Sequence, residues 1–215
     1  MLDNGYVYLA ATRLSLFRSD LDQGRFTRHA HPHFCQQPAR SGFARQICHG
    51  RGILDDNSRC SVLYPWEFLE WDEASRQLSS QLSVPVFSFH IHDEDLWMFV
   101  LYDRGEQVAQ FNPLPEYWDD GIPDEERASW SGDAATIASR IPGVEIDAIS
   151  PYLRHWDLDE EAPGKAFPED QFHFHDCWQM CDFMRKIGLR YPLDDTGRVL
   201  GETYEFAIPE KTSRS

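Results

Sequence analysis

VFSFHIHDEDLWMFVLYDRGEQVAQF, residues 86–111, is the stretch whose reading decides the fold. In an extended chain, alternate side chains share a face. Phe87, Phe89 and Ile91 then point one way, and His90 and His92 the other. The next run, Leu96 to Tyr102, is apolar on both faces, which predicts a central strand covered on both sides. Asp103-Arg104-Gly105-Glu106 reads as a turn, and Gln107 to Phe111 as the returning strand. The three form an antiparallel meander.

Working outward, Trp71, Ala74, Leu78 and Leu82 recur at helical spacing, and Asp72 and Glu73 suit the positive end of that helix. Pro85 stops it. Upstream, residues 61–69 and 5–17 read as strands, a short helix being the alternative for the latter. Residues 18–59 lack a sustained period and read as an irregular, Arg/His-rich insertion. Downstream, residues 116–130 carry acids and aromatics and are expected to be helical in part. A helix over 131–141 would be capped by Ser131 and ended by Pro142-Gly143, and a bent helix over 144–156 limited by Pro151. Residues 157–170 read as an acidic loop.

The helix over 176–187 has Asp176 as its expected N-cap, with Gln179 completing a capping box. Met180, Phe183, Met184 and Ile187 form its apolar stripe, and Gly188 suits its C-terminal exit. Alternation of Tyr204, Phe206 and Ile208 predicts a last strand, before a frayed tail over 209–215. This mixed order implies an α+β fold: a central, mostly antiparallel sheet packed by several helices, with the long N-terminal insertion, in one domain over 1–208.

The chain of 215 residues is ample for a core, and it carries a formal charge of −16. Such a field opposes nucleic acid and anionic membranes and favours a basic protein or a cation. It is concentrated: residues 93–170 hold 20 acidic and 5 basic side chains, whereas 18–59 hold 7 Arg against 4 Asp. Five cysteines without zinc-finger spacing read as reduced thiols. The start, MLDNGYVYLAATRLSLF, lacks the pattern of a signal peptide, and a cytoplasmic protein is expected.

Two segments share a pattern: Phe89-His90-Ile91-His92-Asp93 and Phe172-His173-Phe174-His175-Asp176. Two imidazoles on one strand face are half of a zinc or other divalent transition-metal site. His90, His92, His173 and His175 would supply a shell if the segments meet, and the metal would activate water in a hydrolase. The plainer reading is four hydrogen-bonded histidines at the core boundary. His29, His31, His33, Cys35, Cys48 and His49 form a weaker metal candidate, without standard spacing. Cys177, near a helix start and close to His173 and His175, invites a nucleophile reading, against which stands ordinary packing of a small thiol. No GxSxG, HExxH or nucleotide-binding fingerprint occurs.

The strongest interaction signal is Phe111 to Trp130, where Tyr117, Trp118 and Trp130 alternate with acids, including Asp119 and Asp120. Aromatic anchors ringed by carboxylates suit a basic protein surface. The expectation is therefore a non-enzymatic binding or regulatory protein without a confident cofactor, of the inhibitor, immunity or accessory-subunit type. The alternatives are the metal-dependent hydrolase and, third, a small-molecule-binding domain with a pocket under the meander.

Overall fold

The computed structural model describes residues 59–64, 70–194, 198 and 200 in full, and the backbone alone of 7–13, 47–49, 51–56 and 205–207. Its strands are β1 (Val7–Arg13), β2 (Ile47–His49), β3 (Arg51–Asp56), β4 (Arg59–Leu63), β5 (Pro85–His92), β6 (Leu96–Asp103), β7 (Glu106–Phe111) and β8 (Glu205–Ala207). Six of them form one antiparallel sheet in the order β3-β4-β1-β5-β6-β7. The expected meander is its β5-β6-β7 side, with β6 between its two neighbours.

Register explains why β6 is apolar on both faces. Ile91 lies opposite Trp97, Phe89 opposite Phe99, and Phe87 opposite Leu101, so these six side chains occupy one face. That face packs against α5 (Gln179–Lys186), the fifth α-helix in chain order. Phe183 from α5 sits 5.4 Å from both Trp97 and Phe99 and 6.2 Å from both Phe87 and Phe89. These rings bury completely or nearly so, and such burial is the main favourable term in a core of this kind.

The opposite face is covered by α1 (Trp71–Leu82), whose buried side is Ala74, Ser75, Leu78 and Ser79. Small residues let this helix approach closely. Ser75 donates its hydroxyl to the Trp71 carbonyl, and Ser79 to that of Val84, each at 2.8 Å, so neither is a polar cost. The Tyr102 hydroxyl donates to Asp72 Oδ2 at 2.8 Å and ties helix to sheet. Arg104 and Gly105, with φ of 55° and 85°, close the β6-β7 turn, and a Cβ on Gly105 would come within 2.8 Å of Ser80 Cβ. The sheet therefore has a layer on each side.

Between β7 and α5 the chain forms a 3-10 turn (Pro115–Tyr117), α2 (Asp124–Ser129), α3 (Ala134–Arg140), α4 (Ile146–Ile149) and a second 3-10 turn (Ser150–Tyr152). Buried carboxylates pin this layer. Asp182 accepts from the backbone N–H of Gln171 and Phe172 at 3.2 and 2.8 Å and pairs with Arg185. Asp170 accepts from the Tyr152 hydroxyl at 2.7 Å and from the Phe167 N–H at 2.9 Å. Burial, then the bond to Asp170, pushes the Tyr152 phenol above its ordinary range.

Several local expectations change. Asp133, not Ser131, caps α3: its carboxylate accepts from the Thr136 N–H at 3.0 Å and hydroxyl at 2.6 Å. Ser131 instead donates to the Ala128 carbonyl at the end of α2 and bridges to Phe111. The expected bent helix over 144–156 is two short pieces, because Pro151 in the second lacks an N–H. Helix α5 starts at Gln179, and Asp176 accepts from the Trp178 N–H at 2.8 Å in the turn before it, so no capping box forms. His175, at φ 67°, breaks the helical path there. Strands β2 and β3 lie within 18–59, which the sequence pattern had left without elements. The last strand, β8, pairs with β2 in a separate two-stranded sheet. Residues 18–46 and the tail over 209–215 lie outside the described residues.

Candidate functional site

The end of β5 brings together residues that the sequence separates. His90 and His92 share the α1 side of the sheet, with ring centroids 5.6 Å apart. His90 packs against Trp71 of α1 at 5.2 Å. His92 packs edge-on against Tyr117 at 5.5 Å and Trp118 at 5.0 Å, and those two rings lie 5.1 Å apart. The Tyr117 hydroxyl donates to Asp95 Oδ2 at 2.5 Å, so the 3-10 turn is bonded to the β5-β6 turn. Trp118 is still 55% exposed.

The β5-β6 turn is built from acids in an unusual conformation. Asp93 and Glu94 have φ of 48° and 64°, and the Asp95 N–H bonds the His92 carbonyl at 2.9 Å. Left-handed backbone at a charged non-glycine pair is strain that flanking structure must hold. Asp93 Oδ2 lies 3.5 Å from His92 Nε2. Asp119 accepts from the Gly121 N–H at 2.8 Å, which turns the chain just after Trp118, and Asp119 and Asp120 are exposed.

Charge neutralisation is uneven across the described residues. Asp103 pairs with Arg140, Glu116 with Arg127, Glu160 with Arg154, and Glu169 with Lys186. Among the described residues, no Lys or Arg is ion-paired with Asp93, Glu94, Asp95, Asp119 or Asp120. Five carboxylates without a Lys or Arg partner among the described residues, one of them beside His92, thus flank one exposed indole. Their repulsion is tolerable in water and becomes attraction when a cation docks.

Of the residues expected to form an interaction surface, Tyr117, Trp118, Asp119 and Asp120 belong to this corner. Trp130 lies at the end of α2, where its carbonyl accepts from the Asn112 N–H at 3.0 Å and holds the chain against β7. His92, Asp93 and Asp95 were not read as part of the interaction surface. The signal that could have found them is the turn position directly after a strand whose last histidine faces outward.

The two His-containing segments are not structural copies. The first is a strand, whereas the second is a turn, so only the first places alternate residues on one face. His173 Nδ1 is 2.9 Å from the Pro163 carbonyl, and His175 packs on Trp156 at 5.5 Å. Among the described residues, no group of three or more His, Cys, Asp or Glu is placed to hold a metal ion. Burial, then the neighbouring His92, pushes His90 down to about 4, so it is neutral near pH 7. Cys177 does not have a lowered pKa: burial, then Asp176 and Glu94, pushes its thiol up to about 12, against the nucleophile reading. The side chains of the His29 to His49 group lie outside the described residues.

No family model, curated protein or solved structure matches the chain. Among the described residues, no helix is long and apolar enough to cross a membrane.

Proposed function

We propose that this is a cytoplasmic, non-enzymatic binding protein whose acidic, aromatic corner docks a basic protein, in the manner of an inhibitor, immunity protein or accessory subunit. The observation that supports this reading is Trp118, fixed edge-on to His92 and Tyr117 yet 55% exposed, and flanked by five carboxylates that no described Lys or Arg pairs with. A large ring already held in place loses little entropy on docking, and the surrounding acids supply steering and selectivity. The formal charge of −16 makes phosphate backbones poor partners.

Affinity capture with the whole chain, at low and raised salt, tests the proposal. Wild type is expected to retain a basic protein that salt releases. Trp118→Ala and the double variant Asp119→Asn/Asp120→Asn are each expected to lose it. A capture unaffected by salt, or equally strong in both variants, refutes the reading.

A further inference from the structure

Five buried polar atoms near the start of α5 have no hydrogen-bond partner: Trp97 Nε1, Trp156 Nε1, His175 Nε2, and both amide atoms of Gln179. Gln179 and Trp97 are 0% exposed, and Trp156 is 7% exposed. Buried polar groups in folded proteins are nearly always paired, so a concentration of unpaired ones calls for a cause.

Contacts link these groups into one region. Trp97 packs on Phe183 at 5.4 Å, and Gln179 lies one turn before Phe183 on the same face of α5. Trp97 also packs on Phe111 at 5.0 Å. Two residues beyond Phe111, the Pro113 carbonyl accepts from the backbone N–H of Trp156 at 2.7 Å. Trp156 in turn packs on His175, four residues before Gln179. Ring contacts, one backbone hydrogen bond and short stretches of chain thus join Trp97, Gln179, His175 and Trp156 in a circuit. The left-handed backbone of His175 is a local strain of the kind that accumulates at binding sites.

We propose that this circuit encloses a binding site for a small neutral molecule bearing carbonyl or hydroxyl oxygens. The chemistry of the lining selects that class. The two indoles and the Gln179 amide nitrogen offer N–H donors, the Gln179 carbonyl accepts, and His175 does either according to tautomer. The set is donor-rich, so the ligand must be rich in acceptors. It must also be neutral: the N–H donors of the lining oppose a cation, and the negative charges of Asp176, Glu94 and Asp95, felt at Cys177 two residues from His175, oppose an anion. The site lies on the opposite sheet face from His90, and its unpaired groups are none of the residues of the proposed docking corner.

Acetamide is a suitable probe, having one carbonyl and one amide, with benzene as an apolar control. The indole N–H resonances of the whole protein, labelled at tryptophan, are followed by NMR during titration. Acetamide is expected to shift the Trp97 and Trp156 signals to saturation, and benzene is not. Gln179→Leu should abolish the acetamide response while keeping or raising the melting temperature, since it removes an unpaired buried amide at similar volume. As a second variant, Trp156→Phe keeps an aromatic ring and removes one donor, and is expected to weaken saturation. Shifts that stay linear, saturation by benzene, saturation unchanged in a folded variant, or a lowered melting temperature for Gln179→Leu would each overturn the proposal.

Discussion

His90 is the residue whose perturbation can be worked furthest. It lies between Trp71 and His92, and burial holds it near a pKa of about 4 instead of 6.5. In the unfolded chain it takes up a proton as pH falls through 6.5, whereas the folded protein resists until near 4. The unfolded state therefore binds more protons in that window, and stability falls as the solution is acidified. Above about pH 7 both states are neutral and the effect vanishes. The difference of 6.5 and about 4 corresponds to about 3 kcal/mol once pH is below 4, and to about 2 kcal/mol at pH 5. His90→Gln removes the titrating group. Urea unfolding at pH 7.5 and pH 5.0 should show wild type losing about 2 kcal/mol more than the variant between the two values. Carboxylates titrate in both proteins and largely cancel in the comparison. Equal losses, or a larger loss in the variant, would refute the assignment of His90 as a buried neutral imidazole.

Three further perturbations are sharp. Gly188→Ala should cost about 1–2 kcal/mol in chemical denaturation, because its φ of 71° disfavours a side chain and the new Cβ would run into the Arg59 guanidinium. Asp182→Ala leaves the Gln171 and Phe172 N–H groups without their acceptor and should cost about 3 kcal/mol or more by the same assay. Glu94→Gly relieves a left-handed residue in the β5-β6 turn and should raise stability by up to about 1 kcal/mol, read as a higher melting temperature.

The α+β class and the β5-β6-β7 meander were legible because alternation in Phe87, Phe89 and Ile91 and the doubly apolar β6 have one simple solution: a strand with layers on both sides. The α5 stripe and its Gly188 exit were legible for the same local reason. The cap of α3 was misread because Ser131 and Asp133 are both good capping residues, and only the path of the chain from β7 decides between them. The two His-containing segments differ because the β ladder extends one while a left-handed His175 turns the other, a distinction no five-residue pattern encodes. Half of the proposed docking corner was visible in Tyr117 to Asp120. Its other half, His92 to Asp95, joins through a hydrogen bond and ring contacts spanning more than twenty residues, which depend on the fold.

The most direct measurement is the dissociation constant of the captured basic partner as a function of salt, for wild type, Trp118→Ala and Asp119→Asn/Asp120→Asn. If the corner is the docking site, loss of the indole weakens binding by about thirtyfold or more, about 2 kcal/mol, with the salt slope little changed. Loss of the two carboxylates flattens that slope. Three coincident curves would contradict the account and place the partner elsewhere on the molecule.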